Sequence, residues 1–231
     1  MQAAAIMAKA PYPGYVKTRL APLLSPDEAA ELYESFLLDS IEQLGRASGI
    51  APFVAYTPRD AEPYFSVIVP QGYALIAQPA GDLGTRLAHV AEALFGLGAT
   101  AVVLLGSDSP TLPVEFVHRA FRRLVDADLV LGPSTDGGYY LIGMRRSIPG
   151  LFADIPWSTG RVAACTCARA GGLGATVSLL EPWYDIDTPE DLYRLSRTLA
   201  GSPGDIPPAR HTRSALLRFG LLPPPVAAHA R

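Results

Sequence analysis

The sequence predicts an α/β fold with three layers, α/β/α, around a mostly parallel mixed sheet. Short apolar runs alternate with longer stretches of helical periodicity, the pattern of βαβ units. One run, Ala101 to Gly106, is apolar along its whole length, as a central strand buried on both faces must be. Charged and glycine-rich clusters follow several of these runs, and loops at strand ends are where such sheets carry ligands.

Ala3-Ala4-Ala5-Ile6-Met7 is the first buried strand. A helix opens at Ser25-Pro26-Asp27-Glu28, with a capping serine, proline at the first helical position and glutamate at the third. Leu32, Phe36, Leu37, Ile41 and Leu44 then recur at the spacing of a core face. Strands are expected over Pro52 to Thr57 and Tyr73 to Gln78, and a helix from Leu87 to Leu97. After the central strand come a helix from Val114 to Val125, a strand from Asp128 to Gly132 and the run Tyr139 to Gly143. A helix over Ser158 to Ala170 closes at Gly171, and a strand covers Thr176 to Leu180. Thr188 and Pro189 cap and open a last helix.

This organisation gives one domain over residues 1–200 and a proline-rich tail over 201–231, marked by Pro203, Pro207-Pro208 and Pro223-Pro224-Pro225. Removal of the tail from about Gly204 is expected to leave a folded domain. The exception would arise from Leu216, Leu217, Phe219, Leu221 and Leu222. That cluster is too apolar for a free tail and covers a patch on the domain or on a partner subunit of a homo-oligomer.

The 231 residues are 49% hydrophobic, enough for a substantial core, and carry a net charge of −3. That balance argues against a general nucleic-acid binder, which would be basic. Cys165 and Cys167 are too close for an easy disulfide and too few for zinc, so they read as reduced thiols of a cytoplasmic protein. No segment has the zones of a signal peptide, and no apolar run is long enough to span a bilayer.

The loop Ala8 to Leu20 packs Pro11, Pro13, Gly14, Lys9, Lys17 and Arg19 behind the first strand. Backbone N–H groups near Gly14 can approach an anion, and Lys17 and Arg19 can neutralise it. Asp108 follows the central strand in a loop stiffened by Pro110. A divalent cation holding a polyphosphate is a natural partner there, because Mg²⁺ takes one or two protein carboxylates and leaves its other positions to phosphate and water. A cap for the next turn is the competing assignment. Asp185 and Asp187 offer a second carboxylate on the same side of an extended segment, with Asp187 preferred; its competing role is a helix cap.

Asp136-Gly137-Gly138 permits a tight turn and close ligand approach, with Asp136 binding a sugar hydroxyl or acting as a base; a plain β-turn is the alternative. Gly81-Asp82-Leu83-Gly84-Thr85-Arg86 has the form of a base- or phosphate-contacting turn ahead of a helix. No nucleophile elbow, Rossmann fingerprint or Walker loop is present. A basic loop opposite strand-end carboxylates suits metal-assisted phosphoryl or nucleotidyl transfer, where positioning and charge neutralisation do most of the work.

Four motifs in order carry a resemblance over residues 2–200. They are Ala8-Lys9-x-Pro11-x-Pro13-Gly14-x-Val16-Lys17-Thr18-Arg19-Leu20, Gly106-Ser107-Asp108-Ser109-Pro110, Asp136 to Gly143, and Asp185-Ile186-Asp187-Thr188-Pro189-Glu190-Asp191-Leu192. The chain resembles a glycosyltransferase-A-like family of bacterial proteins often encoded near radical-SAM proteins. That family lies within the nucleotide-diphospho-sugar transferase superfamily, with molybdopterin nucleotidyltransferases and 2-phospholactate guanylyltransferase. Pro11 and Pro13 stand where the superfamily loop is usually richer in glycine.

The resemblance implies a nucleotide-diphospho-sugar transferase fold, a triphosphate held by Lys17 and Arg19, and Mg²⁺ or Mn²⁺ held by Asp108 and Asp187. The expected nucleotide contacts are Lys9, Gly14, Lys17, Arg19, Gly81 and Thr85. Lys17, Arg19 and Asp108 would serve catalysis, and Asp136, Gly137 and Gly138 the second substrate. The reaction expected first is nucleotidyl transfer from an NTP to a phosphorylated small molecule, releasing pyrophosphate. A glycosyltransferase using a nucleotide sugar is the alternative, and a nucleotide-binding module without chemistry the third.

Overall fold

The computed structural model describes residues 1–201 and 209–222; the tail prolines Pro203, Pro207, Pro208 and Pro223 to Pro225 lie outside the described residues. The strands are β1 (Gln2–Lys9), β2 (Ile50–Thr57), β3 (Ala74–Ala77), β4 (Ala101–Gly106), β5 (Leu129–Pro133), β6 (Tyr139–Met144) and β7 (Val177–Leu179). They form one sheet in the order β3-β2-β1-β4-β6-β5-β7. Only β6 is antiparallel to its neighbours. The mostly parallel mixed sheet of the sequence reading is therefore what the chain builds.

The helices are α1 (Pro26–Gly45), α2 (Glu62–Ile68), α3 (Leu83–Gly96), α4 (Glu115–Arg123), α5 (Val162–Gly172), α6 (Pro189–Ala200) and α7 (Arg210–Arg218). Alternation along the central strands divides the core. Ala4 and Ile6 of β1 and Val103 and Leu105 of β4 meet Leu37 and Ile41 of α1 and Phe116 of α4. Ala3 and Ala5, with Val102 and Leu104, meet Leu87, Val90 and Leu94 of α3 on the opposite face. A period of two feeding two helical layers is the physical basis of the three-layer fold.

Local chemistry sets the helix ends. Ser25 and Glu28 form a capping box at α1, and Thr188 and Asp191 form another at α6, each with proline in the first turn. α3 begins four residues earlier than the apolar pattern predicts, because Asp82 accepts the Thr85 N–H at 2.8 Å and starts the helix at Leu83. α5 begins later than predicted: Ser158 is left-handed (φ 62°), so the helix starts at Val162. α2, seven residues long, is too short for periodicity to reveal.

α7 packs on α1. Leu216 and Leu222 join Leu32, Phe36, Leu195 and Leu199 in a third apolar cluster, and Leu216 is fully buried. Asp39 of α1 accepts hydrogen bonds from the His211 N–H (3.0 Å), the Thr212 N–H (2.8 Å) and the Thr212 hydroxyl (2.6 Å), satisfying the first turn of α7. Burial outweighs these bonds and raises the Asp39 pKa. Leu216→Ala is expected to cost about 2–5 kcal/mol, the range for truncating a buried leucine. Urea denaturation checks it; unchanged stability would mean that α7 does not contribute to the core.

Candidate active site at the carboxyl edge of the sheet

Among the described residues six of the seven strands run in one direction, so their carboxyl ends share an edge where ligands of open α/β sheets bind. The loop after β1, the loop after β4, the β5–β6 turn and the segment after β7 all converge there.

Lys17 is central to this edge. Its backbone is left-handed (φ 49°, ψ 33°), at the start of a 3₁₀ turn over Thr18–Leu20. Its side chain is only 3% exposed, so it is not a solvated loop lysine. The ammonium donates to Asp187 Oδ1 at 2.9 Å and to the Ile186 carbonyl at 2.7 Å, and it pairs with Asp108 Oδ1. The Phe36 ring lies beneath it, 5.6 Å from the nitrogen. Burial opposes its charge, but Asp108 and Asp187 more than compensate and hold the lysine pKa above its usual value.

The two aspartates reach this ammonium from different loops. Ser109 ties the loops together: its hydroxyl hydrogen-bonds both the Asp185 carboxylate (2.5 Å) and the Tyr184 carbonyl (3.1 Å). The Ile186 N–H donates to the Asp108 carbonyl at 3.0 Å. Asp108 and Asp187 remain 40% and 39% exposed. Asp185 lies deeper; burial, opposed by the Ser109 bond, and the charges of Asp108 and Asp187 push its pKa up to about 6. Asp187 moves the other way: burial would raise it, and Lys17, Arg19 and Lys9 outweigh burial and lower it. Thr188 and Asp191 supply the cap of α6, which leaves the Asp187 side chain for the site.

Tyr33 of α1 braces the site from beneath. Its hydroxyl accepts the Lys9 N–H at 3.0 Å and hydrogen-bonds Ser107 Oγ at 2.8 Å, joining the ends of β1 and β4. Burial first, and then Asp108, push the phenol up to about 12. Sequence reading missed Tyr33, whose only signal is its place beside Leu32 on the apolar stripe of α1. Ser109 carried no signal beyond its neighbour.

The other expected residues lie at the same edge without touching this cluster. Lys9 and Arg19 are exposed and form no ion pair among the described residues. Gly14 is exposed at φ 79° and leaves open space around its Cα. Thr85 donates its hydroxyl to Asp82 at 2.7 Å as part of the α3 cap, and Gly81 lies over the Thr85 side chain. Asp136 is exposed and accepts the Gly138 N–H at 2.9 Å, a local turn bond. Its turn is tied to the third loop by the Thr135 N–H donating to the Trp183 carbonyl at 3.0 Å. Ser134 is buried in this turn, and its hydroxyl lies close enough to Asp185 to favour the charged form of that carboxyl.

Two features elsewhere lie apart from this cluster. A cavity of about 270 Å³ between α3 and residues 147–154 is lined by Gly84, Ala88, Ile148 and Phe152 and by none of the three aspartates. Asp39, Glu42 and His211 bring ligand atoms within 4.8 Å of one another. Their capacity is committed, Asp39 to the first turn of α7 and Glu42 to Arg210 and His211. The donors at Asp108, Asp185 and Asp187 fit a hard divalent cation better, being carboxylate oxygens grouped at one exposed edge, with an ammonium already standing as a cation on two of them.

Residues 40–159, just over half of the chain, match the family described as an uncharacterized protein conserved in bacteria, DUF2064. The chain belongs to the DUF2064 family. It is 31% identical over 195 residues to a 3-phospho-D-glycerate guanylyltransferase of Phenylobacterium zucineum, covering 80% of this chain and 86% of that relative. It is 27% identical over 193 residues to a 2-phospho-L-lactate guanylyltransferase of Haloarcula marismortui, covering 82% of this chain and 84% of the relative. A crystal structure from Desulfovibrio desulfuricans G20, described as a candidate nucleotide-diphospho-sugar transferase, superposes with a TM-score of 0.84 at 34% identity. It covers 95% of this chain and 97% of the other. The DUF2064 chain thus has the nucleotide-diphospho-sugar transferase fold that its motifs implied.

Gly137 is at φ 90°, and a Cβ there would lie 2.1 Å from the Gly160 carbonyl oxygen. Gly137→Ala is therefore expected to lower stability by about 2 kcal/mol or more through strain and overpacking. Thermal or chemical unfolding measures this; a variant as stable as the parent would return Gly137 to a role in ligand approach alone.

Proposed function

We propose that this protein is a nucleotidyltransferase that moves the nucleoside monophosphate of an NTP, GTP by preference, onto a small phosphorylated carboxylic acid. The observation that carries the reading is the meeting of Asp108 and Asp187 on the ammonium of Lys17 at the carboxyl edge of the sheet, with Asp185 held beside them by Ser109. The names of the two curated relatives supply the acceptor class, since phosphoglycerate and phospholactate each carry a phosphate ester and a separate carboxylate.

In this reaction an oxygen of the acceptor phosphate attacks the α-phosphorus. The new P–O bond forms, the bond to the bridging α–β oxygen breaks, and pyrophosphate leaves. The demand on the protein is positioning and electrostatic stabilisation of the phosphates. Asp108 and Asp187, with Asp185 behind them, would hold Mg²⁺ or Mn²⁺, which when bound supplies charge neutralisation at the phosphates. Lys9 and Arg19, exposed and free of ion pairs among the described residues, face solvent where an NTP arrives. Asp136, with Gly137 and Gly138, stands on the turn beside Trp183 and forms the proposed acceptor side. Work in the cytoplasm accords with the free thiols of Cys165 and Cys167.

The test is a matrix. Each NTP with Mg²⁺ is incubated against 3-phospho-D-glycerate, 2-phospho-L-lactate and hexose 1-phosphates, and pyrophosphate release and the new diphosphate linkage are followed. GTP with a phosphorylated carboxylic acid should turn over. Turnover confined to nucleotide-sugar donors, run in parallel, would replace this reading with glycosyl transfer. Asp108→Asn is expected to cut kcat at least about 100-fold, the scale for removing one group that stabilises transition-state charge, without loss of the fold.

A further inference from the structure

The ammonium of Lys17 has three hydrogens and three acceptors: Asp108, Asp187 and the Ile186 carbonyl. It has no donor left for a phosphate, and its side chain is almost wholly enclosed. It also occupies the same two carboxylates that are best placed to hold a divalent cation. Lys17 cannot keep this arrangement and contact an NTP at the same time, and a second cation brought onto Oδ1 of Asp108 and Asp187 would meet the ammonium charge there.

We propose that Lys17 is a resident counter-cation: it occupies Asp108 and Asp187 in the nucleotide-free protein and releases them when a polyphosphate offers its ammonium another anionic partner. The trigger rests on the nucleotide reading above; the competition between Lys17 and a divalent cation does not.

Three observations support it. With Asp185 hydrogen-bonded through Ser109 to the same loops, three carboxyl groups stand together, and without the ammonium their mutual repulsion would be uncompensated. A lysine suits a transient counter-ion, because its point charge rides on a flexible four-carbon stem and can change partners without moving the backbone. Lys9 and Arg19 lie exposed on the same loop, and their charges already reach Asp187, so an incoming polyphosphate is drawn to the position from which it can take over the Lys17 ammonium. Divalent-cation binding is then weak in the free protein and coupled to nucleotide binding.

The experiment is a Mn²⁺ titration of the full chain without nucleotide, with free Mn²⁺ read by electron paramagnetic resonance, for wild type, Lys17→Met and Lys17→Gln. Either folded variant should bind Mn²⁺ at least ten-fold more tightly than wild type. Equal or weaker binding in the folded variants would overturn the proposal and make Lys17 a group that only positions the aspartates. If neither variant folds, acylation of Lys17 in the wild type, read by mass spectrometry, decides instead. Labelling should be slow in the free protein and several-fold faster at saturating Mg²⁺; no acceleration overturns the proposal. Neither measurement needs turnover. Failure here leaves the transfer reaction standing, and failure to release pyrophosphate leaves the competition standing.

Discussion

The Lys17 ammonium joins three loops by charge at one point. It links the loop after β1 to Asp108 after β4 and to Asp187 beyond β7, partners 91 and 170 residues away in the chain. An ion pair at a solvated surface contributes little, but this one is enclosed on the lysine side and closed by a carbonyl as the third acceptor. It makes a cluster of carboxyl groups tolerable at the edge of an apolar sheet. The surrounding bonds support it: Ser109 holds Asp185, the Ile186 N–H holds the Asp108 carbonyl, and Tyr33 holds the ends of β1 and β4 in line.

The rest of the fold serves this edge. Parallel strands deliver their carboxyl ends to one side, and two helical layers leave that side open. α1 has a double duty: one face covers the sheet while another receives α6 and α7. Stability and site are therefore coupled through one helix, because Tyr33 and Phe36, which touch the site, are neighbours of Leu32 and Asp39, which hold α7.

Much of this was legible in the chain. The apolar runs and capping boxes placed the strands and most helices, since those signals are local. The strand-end clusters pointed to one edge because the topology of parallel sheets sends them there. Alternation put Asp185 and Asp187 on one side, and both are in the cluster, with Ile186 buried between them. The orientation of Lys17 was not legible. A loop lysine carries no periodicity, and the acceptors that enclose it come from distant segments, so the sequence read it only as a cation that neutralises a bound phosphate. Tyr33 was hidden for a related reason, because a helical tyrosine on an apolar stripe gives no sign that its hydroxyl ends under two loops. The start of α3 was displaced because Asp82 acts as a cap, a role that the turn reading of Gly81 to Arg86 passed over.

The chemistry of this edge turns on what Lys17 does when substrate arrives. The most direct measurement is a crystal structure of the protein with Mn²⁺ and a non-hydrolysable GTP analogue, with the metal located by its anomalous scattering. Release of the aspartates by Lys17 requires a metal peak bound by Asp108 and Asp187, with the Lys17 ammonium moved onto a phosphate oxygen. A nucleotide and metal bound while Lys17 still bridges both aspartates would contradict it.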